Sequence, residues 1–394
     1  MINTPNKGKA LGLLLLAGLL AGGEAQADPE ERPDFLSSME IGGHLHTLAT
    51  YHETEAAGGT EEVSDIFVNS LEVGLAASPY RFLDANVVWL LEEAPGGGSP
   101  GQPFAVDQAF VTLSGTPHML KRRENRRDMA GPPWYLQAGK FYIPFATDLN
   151  YHTFDVVSEP PTLVLGETLE SGVRLGYYPD GIHVFGGVFG GRGQEGAADR
   201  IPSDEPDQDE KLNDFFAGLS LQGGPGKVAV RWMSNLNNSI TLQDEVGHQA
   251  DGDPTARTED ANPGLAVYVR TRAGPVTLQG AYVSAQNEYE QGLLAGHRPR
   301  AATGELTYRF DGIWEATAVY QHTGDWPGHA RRGIGAVVGA RLAPGLSVAA
   351  EYLERSHHRA HSSIRGERLA SLLLDVEFGE MFGPLVRTRA SAFE

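Results

Sequence analysis

The chain has 394 residues, with 31 Lys and Arg against 51 Asp and Glu, a formal net charge of −20 and no cysteine. The acidic balance excludes a nucleic-acid binder, which needs a basic face. The missing thiols exclude disulfide frameworks and thiolate metal centres, while the length admits either a few soluble domains or one barrel.

In chain order, the first predicted element is an address. Lys7 and Lys9 precede the apolar run Leu11–Leu20, and Ala25-Gln26-Ala27 has the small-x-small pattern of a cleavage site. Residues 1–27 are therefore predicted as a cleaved signal peptide, followed by a short N-terminal segment, 28–38. After it no apolar run approaches the ~18 residues that signal a spanning helix.

Short segments of alternating polarity follow instead. Strands are predicted at 39–52, 65–77, 81–92, 104–115, 134–143, 169–178, 181–190, 213–222, 226–234, 264–272, 275–286, 303–310, 313–322, 332–341, 345–354 and 367–378. In one of them Leu265, Val267 and Val269 share a face, with Arg270 and Arg272 on the other. In another, Leu372, Leu374, Val376 and Phe378 oppose Ser371, Asp375 and Glu377. A period of two with charge confined to one face is the strand signal, and most segments approach the ~9–11 residues of a tilted membrane-crossing strand.

The connections alternate as well. Tight ones at Pro79-Tyr80, Asp180-Gly181, 223–226, Ala273-Gly274, Asp311-Gly312 and 343–345 suit hairpin turns. Long ones at 53–64, 93–103, 144–168, 191–212, 235–263, 287–302, 323–331 and 355–366 lie between them. The exception is 116–133, a long basic connection on the tight-turn side containing Lys121, Arg122, Arg123, Arg126 and Arg127. Short turns at one end and long loops at the other predict an all-β chain: a transmembrane antiparallel β-barrel of about sixteen strands over 39–378. Residues 379–394 are a C-terminal extension or the final strand.

Lys140, Arg174, Arg231, Arg270, Arg272, Arg309 and Arg341 are predicted on the lumen face, against Asp84, Glu305, Glu315, Glu351, Asp375 and Glu377. Two walls of opposite charge would orient polar solutes, although any wet lumen must be lined with polar groups. Phe67, Trp89, Trp134, Tyr135, Trp232, Trp314, Tyr320 and Tyr352 are predicted as interfacial aromatics. No metal site and no cofactor is expected. The acidic run 204–210 lacks calcium-loop spacing, His44 and His46 stand two apart on one strand face, and the H-E-x-x-H and G-x-S-x-G patterns are absent.

One connection breaks the polar rule. Residues 144–168 contain Tyr151, Phe154, Val156, Val157, Leu163, Val164 and Leu165, too apolar for an external loop. Such a segment is expected to fold against the lumen wall as a constriction, with Pro144, Phe145, Tyr151, Phe154, Glu159, Pro160, Thr162 and Glu167 as its candidate residues. Pro144 cannot donate to a ladder and should end its strand.

The stretch Gly139-Lys140-Phe141-Tyr142-Ile143-Pro144-Phe145, then Glu159-Pro160-Pro161-Thr162 through Gly166-Glu167, resembles the LbtU family of siderophore porins over 135–178. More distantly it is similar to phosphate-selective porins O and P. Ala146 stands where a glycine commonly follows the Pro-Phe pair, and Glu159 where Asp is usual. The resemblance implies ferric-siderophore passage across an outer membrane. The expected protein is then a non-enzymatic diffusion channel, monomeric or homotrimeric, in contact with outer-membrane lipid and lipopolysaccharide. A general or anion (phosphate)-selective porin is the alternative within the class. Outside it stand an outer-membrane hydrolase, with His152 or His44 serving a serine, and a surface anchor resting on the basic stretch 121–127.

Overall fold

The computed structural model describes residues 39–80, 83–92, 105–114, 134–146, 159–179, 181–190, 212–242, 261–290, 292–310, 312–357 and 362–379. The strands are β1 (Met39–Ala56), β2 (Gly59–Tyr80), β3 (Leu83–Glu92), β4 (Ala105–Ser114), β5 (Trp134–Tyr142), β6 (Leu169–Tyr177), β7 (Ile182–Gly190) and β8 (Leu212–Gly223). They continue as β9 (Gly226–Met233), β10 (Gly264–Ala273), β11 (Val276–Ala285), β12 (Arg300–Phe310), β13 (Trp314–Gly324), β14 (Ala330–Ala343), β15 (Leu346–His357) and β16 (Ile364–Gly379). A short helix, α1 (Pro161–Gly166), precedes β6.

Each strand pairs antiparallel with its sequence neighbours, and β1 pairs with β16 from Gly42↔Gly379 to Ala56↔Ile364 to close a barrel. Closure satisfies the backbone groups that an open edge would leave bare, which lipid does not tolerate. The closing strand is thus β16, and residues 380–394 lie outside the described residues, as do the predicted segments 1–38, 116–133 and 204–210.

Alternation puts Leu175, Val184, Leu219, Val230, Val269, Leu306, Ile334 and Leu372 on the outer surface, exposed where a bilayer would cover them. Their strand neighbours Arg174, Ser220, Arg231, Glu305 and Ser371 are buried on the interior face. An apolar outer surface with charged and polar side chains on the inner face is the arrangement of a bilayer-spanning barrel. At the tight ends Gly274 (φ 57°) and Gly345 (φ 73°) occupy the left-handed region that hairpin turns require.

The predicted long connection 53–64 is instead a continuous ladder, with Glu53↔Glu62, Thr54↔Glu61, Glu55↔Thr60 and Ala56↔Gly59 in register. Its charged composition resembled a loop because these strands run past the bilayer: β2 is 22 residues long, roughly twice the ~9–11 that a crossing needs. Both faces there meet water, so the apolar alternation disappears.

Among the described residues the interior holds two apolar clusters. A small one joins Leu48, Phe67, Val319, Val337, Ala349 and Leu373. A larger one gathers Phe110, Phe141, Phe185, Phe189, Phe216, Met233 and Val283 around residues 143–146, 165, 236 and 242. Two of the predicted interfacial aromatics are therefore inside: Phe67 in the small cluster and Tyr135 at 6% exposure, stacked on Tyr178. Trp232, Trp314, Tyr320 and Tyr352 are exposed on the outer surface as predicted.

Candidate functional site

The site is built where β5 stops. Pro144 removes a donor from the ladder, and the chain turns inward through Ile143, Pro144, Phe145 and Ala146, all buried. Ile143 N–H still reaches the Thr168 carbonyl at 2.8 Å, so the departing and returning chains are clamped at the wall. Gly264 on β10 leaves room for the Phe145 ring; a Cβ there would stand 2.8 Å from its Cζ.

The returning chain forms α1. Pro160 and Pro161 preset its first turn, where a missing N–H costs nothing, and Leu163 N–H donates to the Pro160 carbonyl at 2.8 Å. Thr162, fully buried, meets Thr303 of β12 with 3.0 Å between their hydroxyl oxygens. Helix α1 leaves the β5–β6 wall and packs on β11, β12 and β13, so it crosses the interior. Leu165 is buried in the large cluster, while Glu159 is exposed and Glu167 half-buried at the segment's two ends. Tyr151 and Phe154 lie outside the described residues.

A second inward segment supports the first, from within the predicted external connection 235–263. Asn235 caps a 3₁₀ turn, Leu236–Asn238, by accepting from Asn237 N–H at 3.2 Å. Leu236 and Leu242 are fully buried, Ile240 N–H donates to the Glu167 carbonyl at 2.9 Å, and Ser239 Oγ donates to the Val164 carbonyl at 3.3 Å. The spaced Leu236, Ile240 and Leu242 were the available sequence signal, diluted by the long, mostly polar stretch after them.

The cations divide by place. Arg174 and Arg231 are on the interior face at 2% exposure each, beneath the inward chain rather than along an open passage. The Arg174 guanidinium lies 5.2 Å from the Tyr135 ring centre and 5.5 Å from that of Phe141. Arg231 lies 5.3 Å from the Phe185 ring centre and donates to the Pro144 carbonyl at 3.1 Å. Cation–ring contacts of this kind offset part of the cost of desolvating the charge. Arg270 is interior and half-buried, and Arg272 and Arg341 are exposed at the tight-turn end. Arg309 pairs with Glu315 at 3.3 Å.

Lys140 is a correction. It alternates with Gln137 and Phe141, which point inward, and its cross-strand partner Ser171 is on the outer face with Leu175. Its ammonium donates to the Val106 carbonyl at 3.0 Å on that outer side. The prediction placed it inside because the charge is polar; register, not polarity, decides the face.

The predicted acids are interior. Asp84 accepts from Ser78 at 2.7 Å, and Glu305, Glu315 and Glu351 are buried along β12, β13 and β15. Arg174, Arg231 and Arg270 are on β6, β9 and β10 and Glu305, Glu315, Glu351 and Asp375 on β12, β13, β15 and β16, but the two signs mix: Asp84, Glu170 and Asp214 are on β3, β6 and β8, and Arg309 and Arg341 on β12 and β14.

No protein-family profile matches the chain, and no curated protein sequence does either. Solved structures do. An outer-membrane channel, DcaP of Acinetobacter baumannii, aligns at TM-score 0.55 and 12% identity, over 86% of this chain and 97% of that one. The fold is that of an outer-membrane porin. The anion-selective porin from Comamonas acidovorans is similar at TM-score 0.57 and 10% identity, over 86% and 99% of the two chains. Salmonella typhi OmpF is similar at 0.55 and 12%, over 86% and 97%. At such identities the likeness lies in the sixteen-strand barrel, and the contents of its interior are this chain's own.

Proposed function

We propose that this porin-type barrel is a constricted diffusion channel for a small polar solute, with a ferric siderophore as the solute class. The observation that carries the reading is α1, which crosses the interior and meets β12 through Thr162 and Thr303. A segment held by Arg231, by the two-threonine contact and by a second inward segment narrows the lumen by fixed structure. The resemblance to siderophore porins falls on 135–178, a stretch that includes the inward turn at 143–146, α1 and β6. The predicted anchor and hydrolase rivals have no comparable support.

The test is conductance in planar bilayers, with and without ferric siderophore. The expected result is a small unitary conductance with reversible block by ferric siderophore. An anion-selective porin is the second reading, supported by Arg270, which is on the interior face and only half-buried. A large anion-selective conductance indifferent to ferric siderophore would decide for it and against the first.

A further inference from the structure

Barrel closure gathers three side chains that the sequence keeps far apart. His44 and His46 stand two apart on β1 and share the interior face, and the β1–β16 register sets Asp375 opposite His46. Asp375 Oδ1 lies 3.5 Å from His44 Nδ1 and 3.3 Å from His46 Nε2. The three potential ligand atoms all lie within 4.8 Å of one another. The other polar atoms of two of them are engaged away from that point: His46 Nδ1 is 3.0 Å from Ser70 Oγ, and Asp375 Oδ2 accepts from Ser347 at 3.1 Å. Glu72 and Glu377, directly across from His44 on β2 and β16, add carboxylates to the same face.

We propose that His44, His46 and Asp375 form a binding site for a divalent transition-metal ion on the interior wall, at the seam where first and last strands meet. Two imidazoles and a carboxylate suit zinc and its first-row neighbours and leave coordination positions open to solvent or solute. With bonds of about 2.0–2.1 Å, adjacent ligands of a tetrahedral zinc stand roughly 3.3–3.4 Å apart. Two of the three separations, 3.3 and 3.5 Å, are close to that edge, and the third lies within 4.8 Å. Ser70 and Ser347 hold the supporting positions that fix a ligand's tautomer and orientation. Calcium and magnesium are poor occupants because they take oxygen ligands almost exclusively. The spacing of His44 and His46 alone did not make a site; the third ligand comes from the other end of the chain.

The site is independent of the transported solute, and its test reads binding without transport. Zn²⁺ is titrated calorimetrically into the full chain in detergent micelles, with Ca²⁺ as counter-probe and Co²⁺ absorption as a report on ligand type. One saturable Zn²⁺ site is expected, with no Ca²⁺ counterpart. His46→Gln and Asp375→Asn should weaken it at least as much as Ser70→Ala, for which loss of a supporting contact predicts about tenfold. Unheated gel mobility establishes that each variant is a folded barrel. No saturable Zn²⁺ binding, or binding that folded His46→Gln and Asp375→Asn leave unchanged, would overturn the site. If those two variants do not fold, thermal unfolding decides. A Zn²⁺-dependent rise in unfolding temperature that Ser70→Ala diminishes supports the site, and no rise in the wild-type protein overturns it.

Discussion

Lys140 and Arg231 are both cations on strands, yet one lies on the outer wall and the other holds the Pro144 carbonyl deep inside. Strand alternation states only that neighbours differ in face; which face is inward depends on register against the next strand. Gly139, next to Lys140 in the motif that resembles siderophore porins, has φ 135° and sits where a Cβ would come 2.3 Å from the Ala109 carbonyl oxygen. Gly139→Ala should therefore cost about 1–3 kcal/mol of stability, from strain in a sparsely allowed backbone region. Denaturant unfolding of the refolded barrel measures it. Asp325, on the connection between β13 and β14, sets up a second residue-scale effect. Its carboxylate lies 2.8 Å from His297 Nδ1 and accepts from Arg298 N–H at 2.7 Å, clasping two connections at the long-loop end. Partial burial alone would raise its pKa, but the His297 contact and the Arg298 N–H outweigh it and hold the carboxyl below the ordinary value. A depressed pKa contributes stability above the unfolded value near 3.8 and loses it as pH falls through the folded one. The clasp should thus be intact at neutral pH and open only in acid below about 4, with Asp325→Asn removing that dependence. Proteolysis of the 286–299 connection as a function of pH measures the opening.

At the scale of elements, the inward segment is where sequence and structure meet most closely. Apolar residues in a place reserved for polar ones lead to the expectation that 144–168 folds inward, and of these the described residues 144–146 and 161–166 pack in the interior. The partner wall was not legible: nothing local in Thr162 specifies Thr303, which lies 141 residues away. Thr162→Val should strand the buried Thr303 hydroxyl at a cost of about 1–3 kcal/mol, and Leu165→Ala should cost about 2–5 kcal/mol by leaving a cavity. Both loosen α1 from the far wall, so both should raise single-channel conductance in planar bilayers. An unchanged conductance in folded variants would mean that α1 is not the constriction. The second inward segment was not legible because its three apolar residues sit at the start of a long, mostly polar stretch that sets the composition of the whole connection.

For the whole molecule, the decisive quantity is which surface meets lipid. Leu306 is 50% exposed on the outer wall, whereas its neighbour Glu305 is buried on the inner one. Leu306→Arg should cost up to about 2–4 kcal/mol in a bilayer, depending on its depth. Thr307→Arg, aimed at the interior, should cost less. Unfolding from lipid vesicles compares the two, and equal costs would contradict the assignment of faces. Periodicity, tight glycine turns and long loops by themselves determined the antiparallel barrel, its strand number and the inward segment, because each is a local demand of the chain on its solvent. Only the closed structure decided which cations serve the interior, where α1 lands and that Asp375 stands beside His44 and His46. Those are relations between strands far apart in sequence, and register between strands is fixed by the ring as a whole.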